Sequence, residues 1–171
     1  MRAAISILAT TLLILPTSSS AEPWDIKGGA GVLYGSTFRS DEKDGVGCQV
    51  YFDLGLTTTL SVDIGGGYAS HFVGGGQAYE IGNLGAGLSY NIDVLVIVPF
   101  VSVRLGWLRY DFEQDGANDG LGVSVAVGFD YLLTEFFTIG FAAEYHGMLT
   151  DFADFPAYAA FTSRIGFRLP Y

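Results

Sequence analysis

The stretch Leu121-Gly-Val123-Ser-Val125-Ala-Val127-Gly-Phe129-Asp-Tyr131 puts a large apolar residue at every odd position and Gly, Ser, Ala or Asp at every even one. A period of two over eleven residues is the signature of a β-strand with two chemically different faces. A helix would repeat its apolar positions every three or four residues instead. Working outward, the same alternation recurs in seven other places. Trp24, Ile26, Ala30, Val32 and Tyr34 stand opposite Asp25, Lys27, Gly29, Gly31, Leu33 and Gly35. Val46, Cys48, Val50, Phe52 and Leu54 oppose Gly47, Gln49, Tyr51 and Asp53, and Leu60, Val62, Ile64 and Tyr68 oppose Ser61, Asp63, Gly65 and Gly67. Leu84 to Tyr90, Val101 to Trp107, Phe137 to His146 and Phe161 to Tyr171 complete a set of eight.

The connections between these segments alternate in length. Those at Thr57-Thr58, Asn91–Asp93 and Leu133–Glu135 are tight, and those at 36–44, 73–77, 111–119 and 147–156 are mostly longer and together carry much of the acid. An even number of strands joined by alternating short turns and long loops predicts an all-β fold, an eight-stranded antiparallel up-and-down transmembrane β-barrel. Composition agrees. Of 171 residues, 50% are hydrophobic and 15% aromatic, 24 are glycine, and only 15% are charged. Lys and Arg number 8 against 18 Asp and Glu, a formal charge of −10, which disfavours nucleic acid as a partner. One cysteine, Cys48, allows no intramolecular disulfide and reads as a small apolar strand residue.

Residues 1–21 read as a signal peptide that is removed, with Arg2 before an apolar core from Ala3 to Pro16 and a small-residue cleavage site at Ser19-Ser20-Ala21. Removing 21 of 171 residues leaves a single 150-residue barrel domain, 22–171. No later run is long and apolar enough for a membrane helix; Val94 to Val103 is interrupted by Pro99 and Ser102.

Alternation alone leaves open which face meets which solvent, and a soluble lipocalin-like barrel would turn its apolar face inward. Three features favour the membrane. The apolar faces are nearly free of charge, and their aromatics gather toward strand ends: Trp24, Tyr34, Phe52, Tyr68, Tyr90, Trp107, Tyr131, Phe137, Tyr145 and Tyr171 form two candidate interfacial girdles. The opposite face is crowded with Gly, Ala and Ser, as a narrow lumen filled by side chains requires. Lastly, the chain ends on a strand with an aromatic residue.

That ending, Ile165-Gly-Phe167-Arg-Leu169-Pro-Tyr171, resembles the C-terminal assembly signal of Gram-negative outer-membrane barrels, with Ile165, Phe167, Leu169 and Tyr171 in the signal positions. Pro170 departs from the usual penultimate residue, and a strand end tolerates the missing donor. The chain from 22 to 171 resembles the small eight-stranded outer-membrane barrels that include the OmpA transmembrane domain and OmpX. The resemblance implies the outer membrane as location, both termini in the periplasm, contact with outer-membrane lipid, insertion by the barrel-assembly machinery through the last strand, and a monomer.

Asp53, Asp63, Arg104, Asp130, Glu144, Arg164 and Arg168, with Glu80 near a strand end, form the expected lumen network. Arg104 and Arg164 fall mid-strand, Glu80 and Glu144 toward the rim that carries the longer loops, and Asp53, Asp63, Asp130 and Arg168 toward the end with the tight turns. A charge inside a dry barrel needs a partner, so these residues predict a salt-bridged plug; a selectivity filter is the alternative. The run Asp111-Phe-Glu113-Gln-Asp115-Gly-Ala-Asn-Asp119 has the opening spacing of a calcium loop, but Gly122 stands where the bidentate Glu belongs. It reads as an acidic hairpin loop first and a calcium site second. Ser70, His71, Glu144 and His146 are the residue types of an acyl hydrolase, and Ser70 and His71 point to opposite faces. No catalytic residue, cofactor or resident metal is expected. The reading is a non-enzymatic outer-membrane barrel whose acidic loops serve surface interaction or whose wall serves envelope integrity. A narrow channel, a lipid A-modifying enzyme and a secreted carrier of hydrophobic ligands are its alternatives.

Overall fold

The computed structural model describes residues 24–37, 44–72, 78–92, 96–112, 116–150 and 158–169. Residues 1–23, which include the segment read from the sequence as a signal peptide, lie outside the described residues, as does Tyr171. The eight alternating segments become eight strands: β1 Ile26–Thr37, β2 Gly45–Gly55, β3 Leu60–Phe72, β4 Ala78–Asn91, β5 Ile97–Phe112, β6 Gly116–Leu132, β7 Phe137–Met148 and β8 Tyr158–Leu169. Each pairs antiparallel with its neighbours in sequence, and β1 closes the barrel on β8 from Ile26↔Leu169 to Thr37↔Tyr158. Closure leaves no unpaired sheet edge, which is the condition for a sheet to lie in lipid. The strands are 11 to 17 residues long, enough for a tilted strand to cross a bilayer.

Two of the tight turns share one device. In Leu56–Thr59 the Thr57 hydroxyl accepts from the backbone N–H of Leu60 at 2.9 Å, and in Leu133–Phe136 the Thr134 hydroxyl accepts from that of Phe137 at 3.0 Å. The leucine before each threonine donates its own N–H to the carbonyl that ends the turn, Leu60 or Phe137. Threonine supplies in one side chain the acceptor that a reversing backbone needs. The end of the barrel with these turns is called the turn end, and the opposite end the loop end.

The faces fall as the alternation predicts. Val32, Val50, Ile64, Leu84, Leu105, Leu121, Phe141 and Ile165 are exposed on the outer wall, while Gln49, Asp63, Ser102, Ala126, Glu144 and Thr162 are buried inside. Of the expected girdle aromatics, Trp24, Phe52, Tyr90 and Phe137 face outward near the turn end, and Tyr34, Tyr68, Trp107 and Tyr145 face outward toward the loop end.

One expectation about the loops is corrected. The segment 111–119 is mostly strand: β5 and β6 stay in register up to Phe112↔Gly116, so Asp111 faces Ala117 and Asp119 faces Arg109. The alternation of β5 simply continues, and β5 and β6, at 16 and 17 residues, are the longest strands of the barrel.

Candidate functional site: a charged lumen under an aromatic cap

The lumen is built in layers. Nearest the turn end, Arg168 is buried and binds Asp25 through Nε at 2.9 Å and Nη2 at 2.6 Å. In the same layer Asn91 Nδ2 donates to Ser61 Oγ at 2.8 Å.

Above it, Arg164 of β8 forks onto Asp130 of β6, with Nε to Oδ1 at 2.8 Å and Nη2 to Oδ2 at 2.7 Å. Its guanidinium carbon lies 4.1 Å from the ring centre of Phe100 and 4.4 Å from that of Tyr51. A planar cation can take a bidentate carboxylate and aromatic contacts together, which an ammonium cannot match.

Arg104 of β5 lies 3.3 Å from Asp63 of β3 and 3.0 Å from Glu144 of β7. Glu144 also accepts from Gln49 Nε2, and Gln49 Oε1 accepts from Thr162 Oγ1 at 2.8 Å. Side chains of β2, β3, β5 and β7 thus meet at one arginine–glutamate pair, and Thr162 of β8 holds Gln49 from behind.

Both central arginines use the same backbone arrangement. Asp130, Gly140 and Arg164 stand in one row across β6, β7 and β8, and Asp63, Gly87 and Arg104 in one row across β3, β4 and β5. Strands two apart are about 10 Å from each other. A side chain on the middle strand would stand between the charges, and glycine leaves the path open. A Cβ at Gly140 would fall against Asp130 Oδ1 and 2.6 Å from the carbonyl oxygen of Phe129.

Toward the loop end the lumen changes character. Leu33, Tyr79, Ile81, Leu108, Tyr110, Met148 and Tyr158 form one buried apolar cluster. The Tyr158 ring lies 5.5 Å from the His71 ring and 5.4 Å from the His146 ring. The two lumen histidines therefore meet through a tyrosine. Beneath this cap the Ser124 hydroxyl is 2.8 Å from His146 Nδ1, and His146 Nε2 is 3.5 Å from Glu144 Oε2.

A serine, a histidine and a carboxylate in that order are hydrolase chemistry in kind. The surroundings oppose it: Glu144 is already committed to Arg104 and Gln49. The void beside Ser124, lined by Asn83, Gly85, Gly122 and their neighbours, is only about 10 Å³, about one water's worth. Ser70, the serine singled out in the sequence, lies on the other face of β3 from buried His71.

Each expected lumen residue now has a place. Asp53, Asp63, Arg104, Asp130, Glu144, Arg164 and Arg168 all face inward. Glu144 reaches the mid-lumen rather than the loop-end rim, because its partner is Arg104. Glu80 is a correction: it faces outward, where the Tyr68 hydroxyl hydrogen-bonds it. β4 alternates without a break from Tyr79 to Tyr90, so Glu80 shares the parity of Leu84 and Leu88. Asp25, Gln49, Tyr51, Phe100 and Ser124 complete the network. Asp25, Gln49, Tyr51 and Ser124 have the inward parity in the sequence, and only their contacts were hidden.

Of the calcium-loop residues, Glu113 and Asp115 lie outside the described residues. Asp111 receives Arg109 at 2.8 Å on the outer face of the long hairpin. Among the described residues, no group of three His, Cys, Asp or Glu is arranged to hold a metal. At the mouth of the β1–β2 loop, the Tyr34 hydroxyl donates to Asp44, and that bond is the main reason the carboxyl sits below its ordinary range.

Comparison with solved structures identifies the architecture. Neisserial surface protein A superposes with a TM-score of 0.66 at 14% identity, covering 90% of this chain and 100% of the other. The fold is that of the small outer-membrane barrels. OprG of Pseudomonas aeruginosa gives 0.67 at 12% identity over 89% of this chain and 99% of that one. Ail, the attachment invasion locus protein of Yersinia pestis, gives 0.63 at 10% over 85% and 99%. A de novo designed transmembrane β-barrel matches at 0.50 with 12% identity over 90% and 100%, so the architecture exists apart from any evolved function. No family model matches the chain, and no curated protein matches it by sequence.

Proposed function

We propose that the chain is a non-enzymatic outer-membrane barrel with a closed, salt-bridge-filled lumen, whose acidic loop end meets partners outside the cell or whose wall supports the envelope. The observation that carries this is the lumen itself. Arg104, Arg164 and Arg168 each bind a buried carboxylate, and an aromatic cap lies over the polar layers. Charges committed to one another and roofed by apolar side chains are a filling, since an open pore would keep them wet.

In this reading residues 1–21 direct export and are removed. The turn end and both termini lie in the periplasm, the longer connections face outward, and Ile165, Phe167, Leu169 and Tyr171 engage the barrel-assembly machinery. The barrel is monomeric in outer-membrane lipid, and the outward carboxylates Glu80, Asp111 and Asp119 stand just above the loop-end girdle. The first test is electrophoretic mobility of the membrane fraction in SDS, boiled against unboiled, joined to conductance in a planar bilayer. A heat-dependent shift with no resolved current steps is expected. Steady current steps would make the chain a channel and overturn the filled-lumen reading. An unshifted band recovered from the soluble periplasm would overturn the membrane assignment.

A further inference from the structure

The outer wall is not uniformly bulky. On β7 and β8 aromatic and small residues alternate as a checkerboard: Phe141 faces Ser163, and Ala143 faces Phe161. The phenylalanines stand out as walls, and Ala143 and Ser163 sink the floor between them. The depression continues to Val127 of β6 on one side and to Tyr34 of β1 and Val46 of β2 on the other, a groove of about 630 Å³ with an almost wholly apolar lining. That volume is within the range of small-molecule sites. Crossing five strands at about 4.8 Å each, it is about 19 Å long. The groove also runs obliquely. Phe129 is close to the turn end of β6, and Tyr34 is close to the loop end of β1.

We infer that this groove seats one acyl chain of a membrane lipid, an assignment that rests on the outer-membrane reading above. Three features select that occupant. The groove is continuous with the lipid-facing wall and lies between the aromatic girdles, so hydrocarbon surrounds it. It bends around half of a convex barrel, from β6 to β2. A second barrel, itself convex, would touch such a surface along a narrow strip and leave the groove unfilled, whereas a flexible chain follows it. Its loop-end limit is Tyr34, whose hydroxyl holds Asp44 at the polar boundary, so the headgroup emerges where the wall turns polar. Ser163 and Ala143 set the depth, and a large side chain at either one closes the groove.

The test uses the full barrel in vesicles of phosphatidylglycerol and phosphatidylethanolamine carrying a radiolabelled palmitoyl chain, then extraction into detergent and exhaustive washing. The wild-type barrel is expected to retain about one labelled lipid. Ser163→Phe and, independently, Ala143→Phe are expected to retain at least tenfold less, while Ala86→Phe, on the outer face of β4 away from the groove, retains the wild-type amount. Each variant is scored for the heat-dependent SDS shift, so loss of lipid from an unfolded chain is recognised as such. Equal retention by the filled variants, or none by the wild type, overturns the assignment. So does oxidative crosslinking of two wild-type chains through Cys48, beside Val32 on β2, if the filled variants lose it; the occupant is then a second copy. A wild-type chain that shows no heat shift and leaves the membrane without detergent refutes the outer-membrane reading instead.

Discussion

Arg164 on β8 and Asp130 on β6 are joined bidentately over Gly140, the residue of β7 that stands in register with both. The pair shows how this lumen is specified: charges placed two strands apart, and a glycine between them that keeps the way clear.

Removing one partner is expected to be costly and removing both much less so. Arg164→Ala leaves Asp130 as an uncompensated buried charge, with an expected loss of about 3–5 kcal/mol. The double variant Arg164→Leu/Asp130→Leu should recover most of that loss. Urea titration of folding into lipid vesicles measures both. If the double variant is as unstable as the single one, the pair matters for its shape and not for its charge.

Gly140→Ala is expected to destabilise the barrel by about 1–3 kcal/mol, because the added methyl meets Asp130 Oδ1 and the Phe129 carbonyl. Gly82→Ala supplies the contrast. Its Cβ faces outward and finds only Trp107 carbons, the nearest at 3.7 Å, so stability should stay within about 0.5 kcal/mol of wild type. The same urea titration compares the two, and a neutral Gly140→Ala would mean that the row is looser than its register implies.

Two glutamates that look alike in the sequence should behave differently. Glu80→Gln on the outer wall is expected to change stability by no more than about 0.5 kcal/mol. Glu144→Gln removes the carboxylate that faces Arg104, His146 and Gln49, and is expected to cost about 1–3 kcal/mol. Thermal unfolding followed by the SDS mobility shift orders them, and the reverse order would place Glu80 inside.

Cys48 reports on the face it occupies. It is exposed on the outer wall of β2, so in intact vesicles a charged, water-soluble maleimide is expected to leave it unmodified. An apolar maleimide, or the charged one after urea, should modify it fully. Rapid labelling by the charged reagent in vesicles would show that this wall is wet and that the barrel is not lipid-facing there.

The large features were legible because they depend on alternation alone. Leu121 to Tyr131 declares two faces, and the eight repeats declare the strand count. The tight turns at Thr57 and Thr134 fall where the alternation stops. Glu80 is hard to place from the sequence because the clear alternation of the fourth segment begins at Leu84; extending it four residues back puts Glu80 outside. The acidic run 111–119 reads as a hairpin loop because its Asp, Asn and Gly favour turns, and the strands of that hairpin stay in register to Phe112 and Gly116.

By itself the sequence determined which residues share a face, how many strands there are, and that charges on the inner face would need partners. A period of two gives the faces, and the near absence of charge from one of them says which is the outer wall. Only the tertiary structure decided that Arg164 reaches Asp130 past Gly140, that Arg104 chooses Asp63 and Glu144, and that His71 and His146 meet through Tyr158. Those contacts depend on the stagger of one strand against the next and on closure of β8 onto β1. Sliding a strand by two residues keeps every side chain on its face and changes every partner it has.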